Sequence, residues 1–124
     1  MKYLLDSSII IKLTTGQGEA LRQRAAQCFE EEMVTSAVAM AEVLYGSANE
    51  KPPPLAQLEH FMSLVRILDF DLEAARAYAA LPFKRASYDR LIAAHALSLG
   101  LTVVTGNVKH FADVPGLKVE NWSE

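Results

Sequence analysis

The apolar positions change period several times along the chain. Tyr3-Leu4-Leu5 is a short apolar run stopped by Asp6, the pattern of a buried strand. Ser7 and Ser8 can cap the next segment, and Ile9 to Leu13 continue as a short helix or tight apolar segment until Gly16 and Gly18 break it. From Glu19 to Glu32 the residues Ala20, Leu21, Arg24, Ala25, Cys28 and Phe29 fall at helical spacing. Met33-Val34-Thr35 predicts a second strand, and Ser36 is placed to cap a helix from Ala37 to about Ala48. Pro52-Pro53-Pro54 is the clearest break, too short for a domain linker and suited to a rigid lead into a helix over Leu55 to Val65. Ile67 to Phe70 predicts a third strand, and Leu72 to Leu81 a helix ending at Pro82. Ser87 caps a helix from Tyr88 to Leu99, which Gly100 closes. Leu101 to Thr105 is the clearest strand of all, a short turn or helix continues through Phe111, and Leu117-Lys118-Val119 predicts an edge strand.

Strands alternating with helices imply an α/β sandwich around a mostly parallel sheet of about four or five strands. The 124 residues, 51% of them hydrophobic, suit one domain over residues 1–124 with a substantial core. Net charge is −3, so any basic surface is local. The one cysteine, Cys28, has no partner for an internal disulfide and reads as a small core residue. Asp6 interrupts the N-terminus before any signal-peptide core develops, and no apolar run approaches the ~20 residues that span a bilayer. The expectation is a cytoplasmic protein.

Most acids, among them Glu30, Glu31, Glu32 and Glu73, read as solvated helix faces. Asp6, Glu42 and Asp89 do not. Asp6 ends a parallel-type strand, where ligands bind in open α/β sheets, although an N-cap there is the plain alternative. Glu42 interrupts an apolar helix among Val38, Ala41 and Tyr45, so its carboxylate is expected on or beside the inward stripe. Asp89 precedes Ile92, Ala93 and Ala96 at inward spacing, a phase that helix-dipole complementation alone does not explain. Three carboxylates brought together repel unless a cation joins them, and an oxygen-only set suits Mg²⁺ or Mn²⁺. No His/Cys spacing resembles a zinc site. His60 and His95 read as packing or surface residues, and His110 as a substrate-side candidate.

These residues sit in motifs that resemble VapC-type PIN toxins. Tyr3-Leu4-Leu5-Asp6-Ser7-Ser8 resembles the family's opening, and Thr35-Ser36-Ala37-Val38-Ala39-Met40-Ala41-Glu42-Val43-Leu44-Tyr45-Gly46 its second motif. Tyr88-Asp89-Arg90-Leu91-Ile92-Ala93-Ala94-His95-Ala96 resembles the third and Val104-Thr105-Gly106-Asn107-Val108-Lys109-His110-Phe111 the fourth. Pro115 to Trp122 looks like the usual ending, so the likeness runs in order along essentially the whole chain. It implies a PIN-like three-layer α/β/α sandwich and an Mg²⁺- or Mn²⁺-dependent endoribonuclease acting on tRNA or rRNA. It also implies a cognate VapB-like antitoxin as inhibitor, promoter DNA bound only through that antitoxin, and a homodimer. In this reading Asp6, Glu42 and Asp89 hold the metal, and Asn107 is a neutral ligand or an outer donor. Ser7 orients a water or phosphate, and Lys12, Lys84, Arg85, Arg90 and Lys109 are candidates to meet the RNA.

Three departures stand out. Ser8 replaces the family's usual Asn, the Leu81–Ser87 stretch is shorter than usual, and Asn107 stands where some members carry a fourth acid, with Asp113 a weaker substitute. They keep open an alternative, a catalytically weak PIN-like domain that binds RNA or a partner. A strand-end aspartyl phosphotransferase is the other rival, but the phosphatase pattern wants an aspartate where Ser8 stands. A third reading makes every acid structural.

Overall fold

The computed structural model describes residues 1–83 and 85–123. Lys84, a candidate RNA contact, lies outside the described residues. Five strands form one sheet: β1 (Tyr3–Leu5), β2 (Met33–Ser36), β3 (Arg66–Leu68), β4 (Thr102–Val104) and β5 (Val119–Glu120). Their order is β3-β2-β1-β4-β5, and every pairing is parallel. Parallel neighbours require crossovers, and six helices supply them: α1 (Ser7–Thr14), α2 (Glu19–Ala26), α3 (Ala37–Ala48), α4 (Leu55–Leu64), α5 (Leu72–Ala79) and α6 (Tyr88–Leu99). The result is the expected three-layer sandwich. Among the described residues no helix is long and apolar enough to cross a membrane.

The core forms because the central strands are apolar on both faces. Leu4, Leu5, Val103 and Val104 are fully buried, and Ile9, Ile10, Ile92 and Ala93 pack on them from the helices. The caps anticipated for α3 and α6 form: Ser36 Oγ accepts from Val38 N at 3.1 Å, and Ser87 Oγ accepts from Arg90 N at 3.2 Å. Gly100 closes α6 at φ +67°, the left-handed conformation a terminating glycine adopts readily.

Several boundaries differ from the sequence reading, most by a residue or two at an end. The third strand covers Arg66–Leu68 only, because Asp71 Oδ1 accepts from Ala74 N at 2.9 Å and starts α5, drawing Asp69 and Phe70 out of the sheet. The helix anticipated over 19–32 stops at Ala26, and Glu30–Glu32 form a separate 3₁₀ turn in which Glu32 accepts from Phe29 N at 2.8 Å. Ser7 and Ser8 do not cap α1; they occupy its first turn, and Asp6 takes the cap position without a side-chain cap bond. The last strand is Val119–Glu120 rather than 117–119.

Candidate active site

The register brings the site together. Leu5 pairs with Thr35 on one side and Val104 on the other, so β1, β2 and β4 end side by side. Asp6 emerges from the middle of that edge, its backbone N–H donating to Val104 O at 2.9 Å. The residue is 2% exposed, and its carboxylate is braced by hydroxyls. Thr105 donates to Oδ2 at 2.8 Å, Ser8 to Oδ2 at 3.1 Å, and Ser7 to Oδ1 at 3.4 Å. The braces are themselves held: Asn107 N donates to Thr105 Oγ1 at 2.9 Å, and Gly106 N donates to Ser8 Oγ at 3.2 Å. Ser8 thus donates on one side and accepts on the other, as an asparagine amide in its place would. A Cβ at Gly106 would come within 3.1 Å of Lys12 Nζ, so the lysine head group would have to give by a few tenths of an ångström.

Helix α3 carries Glu42 toward Asp6 and helix α6 carries Asp89. One carboxylate oxygen from each of the three acids lies within 4.8 Å of the others. The inward stripe of α3 runs through Ala39, Met40 and Val43; Ala41 and Tyr45, the anticipated neighbours of Glu42, are exposed. Glu42 sits at the edge of that stripe, and its Oε1 is buried with no hydrogen-bond partner. Burial, then the charges of Asp6 and Asp89, push its carboxyl from an ordinary 4.5 up to about 7, and the Ser7 hydroxyl offsets part of this. The Asp89 carboxyl is also raised, first by burial and then by Asp6, against the opposing influence of His110. Burial and like charges without a cation account for both directions.

The remaining candidates are distributed around this cluster. His110 Nδ1 lies 3.1 Å from Asp89 Oδ2, a closer association than its sequence position indicated. Asn107, Lys109 and His110 line a cleft of about 470 Å³ beside the acids. Asn107 reaches the site through its backbone, and its side chain is exposed. Lys12 Nζ donates to Ser123 Oγ at 3.2 Å behind Ser8. Arg90 is turned elsewhere: its guanidinium lies 3.7 Å from the Phe83 ring centre and donates to Arg85 O at 3.2 Å, clamping the short connection before α6. Arg85 and Asp113 are exposed, and Asp113 is not among the clustered acids. His60 is exposed, whereas His95 is buried with Nδ1 2.8 Å from Ser36 Oγ. Thr105 is the residue the sequence reading gave no role, yet it makes the shortest contact to Asp6.

An all-carboxylate set with one orphaned buried oxygen fits a hard divalent cation. Burying such a group without a partner costs about 1–3 kcal/mol, more when it is charged, and a cation removes that cost. The PIN domain family matches residues 3–117. The chain is 34% identical to the tRNA(fMet)-specific endonuclease VapC of Salmonella typhimurium, the alignment covering 98% of each. Its fold is similar to VapBC2 from Rickettsia felis bound to a promoter DNA fragment (TM-score 0.86, 26% identity, 98% of this chain and 99% of that one). It is also similar to DNA-bound VapBC from Salmonella typhimurium (TM-score 0.85, 31% identity, 98% of both chains). The sequence motifs, the parallel sheet and the three gathered acids therefore have one common account: this chain belongs to the PIN-domain family, among its VapC-type members.

Proposed function

We propose that the chain is the toxin of a VapBC-type toxin–antitoxin module, an endoribonuclease in which residues 1–124 act as one PIN domain and Asp6, Glu42 and Asp89 hold Mg²⁺ or Mn²⁺. The observation that carries this is the convergence of three carboxylate oxygens within 4.8 Å around a buried, unpartnered Glu42 oxygen. A divalent ion bound there supplies positive charge beside a phosphate and lowers the pKa of water in its shell. The chain's own residues do the rest. Thr105, Ser8 and Ser7 fix the Asp6 carboxylate so that it does not swing away from the cluster. His110 holds Asp89. Lys109 and Asn107 line the adjoining cleft, where a phosphodiester strand meets positive charge and amide donors. The reaction adds water across a phosphodiester and leaves a 5′-phosphate and a 3′-hydroxyl.

The substrate class is RNA, and tRNA is the first candidate because the Salmonella relative is named for one. The partner is a VapB-like antitoxin, through which the complex would meet promoter DNA; the Rickettsia VapBC2 relative is bound to a fragment of its promoter and the Salmonella VapBC relative to DNA. A cytoplasmic homodimer completes the reading. The test is cleavage of total cellular RNA by antitoxin-free wild type and by Asp89→Asn, with Mg²⁺ or Mn²⁺ and with EDTA. Discrete fragments from wild type alone, abolished by EDTA, are expected. Folded protein that cuts nothing with either metal, or cutting that survives both EDTA and Asp89→Asn, would overturn it.

A further inference from the structure

Beyond Glu42, helix α3 ends in a way that builds a second feature against the acids. The chain turns back at Glu50, whose φ of +65° is left-handed. Lys51 N then donates to Gly46 O at 2.9 Å, and Asn49 Nδ2 donates to Tyr45 O at 2.8 Å. This reversal sets Lys51 and Pro52 beside Tyr45 and Gly46, one helical turn past Glu42. The result is a cleft of about 210 Å³ with Ile11 and Val43 among its apolar walls and Ser7 and Glu42 at the end it shares with the carboxylate cluster. Tyr45 is 75% exposed although it lies three positions past Glu42, a spacing that puts side chains about 5–6 Å apart at Cβ.

The chemistry of this cleft is specific. It is smaller than the ~300–1,000 Å³ cavities that take drug-sized ligands, so it suits one planar group. Its apolar walls and free aromatic ring suit the faces of such a group, and Ser7, whose proton goes to Asp6, offers its hydroxyl oxygen as an acceptor at the edge. Lys51, exposed at the rim, supplies the only positive charge among the residues that line it. Flat apolar faces, a polar edge and an attached anion describe a nucleotide in a single strand, the form in which RNA bases are read by stacking on aromatic side chains. We propose that this cleft seats one base of single-stranded RNA, stacked on Tyr45 with its phosphate against Lys51, next to the bond that is cut. The proposal rests on the nuclease reading and adds to it where the substrate is gripped.

The test is the affinity of short labelled oligouridylate and oligoadenylate in Mg²⁺, in an Asp89→Asn background that leaves the strand uncut. Tyr45→Ala should weaken binding roughly ten-fold, within the range for loss of one stacked base. Tyr45→Phe should bind like the parent. Lys51→Gln should weaken binding and flatten its salt dependence. An abasic strand of equal charge should respond to Lys51→Gln and ignore Tyr45→Ala. No saturable binding by the parent, no effect of Tyr45→Ala, or an equal loss on the abasic strand overturns the proposal. So does a change of oligomeric state by sedimentation in place of the affinity loss, which would make Tyr45 a contact between copies. The two readings fail separately. Wild type that cuts no RNA, combined with base-dependent loss at Tyr45, sinks the nuclease and leaves the slot; metal-dependent cutting indifferent to Tyr45→Ala does the reverse.

Discussion

The two ends of β1 hold opposite kinds of polar cluster, about 10 Å apart along the strand. At the amino end, Arg24 donates to Tyr3 Oη at 3.1 Å and stacks over Trp122 at 4.6 Å, while Tyr3 and Trp122 meet edge to face at 4.8 Å. One cation there is shared among acceptors and ring faces. At the carboxyl end, three acids converge, and among the described residues a histidine at the rim is the one basic group in contact with them. The first cluster resembles the interior of any stable protein. The second sets like charges together with one buried oxygen unpartnered, the kind of local exception found at functional sites. One short strand therefore carries a fastening at one end and a gathering of acids at the other.

Substitutions that separate stability from activity would sharpen this contrast. The largest effect is expected at the fastening. Trp122→Ala should cost about 3–5 kcal/mol in a urea melt, while cleavage per folded molecule stays unchanged; loss of activity without loss of stability would erase the distinction. A smaller effect concerns pH. The folded state holds a proton on Glu42 up to about 7, whereas the unfolded chain releases it near 4.5. The folded state thus binds more protons across that window, and stability of the metal-free protein should fall as pH rises through it, by something on the order of 2 kcal/mol. Saturating Mg²⁺, which competes with the proton, should reverse the slope, and melts at several pH values would show it. The smallest effect is Glu42→Gln. It should raise metal-free stability by about 1 kcal/mol, remove most of the pH dependence, and weaken Mn²⁺ binding measured calorimetrically. A destabilised Gln variant would mean that Glu42 has a structural partner after all.

The alternation of strands and helices, and the three acids themselves, were legible in the sequence because strand-end position and helical phase are local properties. Glu42 was placed beside the inward stripe, yet Ala41 and Tyr45 proved exposed, since the buried stripe runs one position away. What could not be read depended on distant strands meeting. Thr105 looks like any polar residue at the end of a strand until β4 is known to lie beside β1, whereupon it becomes the main support of Asp6. His110 likewise meets Asp89 only through the fold. Arg90 misled by adjacency: it is the very next residue after Asp89, but one residue is more than a quarter turn of helix, which carries it to Phe83 instead.

The pairing of β1 with β4 also bears on synthesis. Leu4 is made about a hundred residues before its partner Val103. Until that late segment leaves the ribosome, Asp6 has neither Thr105 nor the neighbouring strand to hold it, and so long a loop closes late. Chains that stop before Thr105 should therefore be inert, and the acid cluster gains its main brace only once residues 102–105 have emerged.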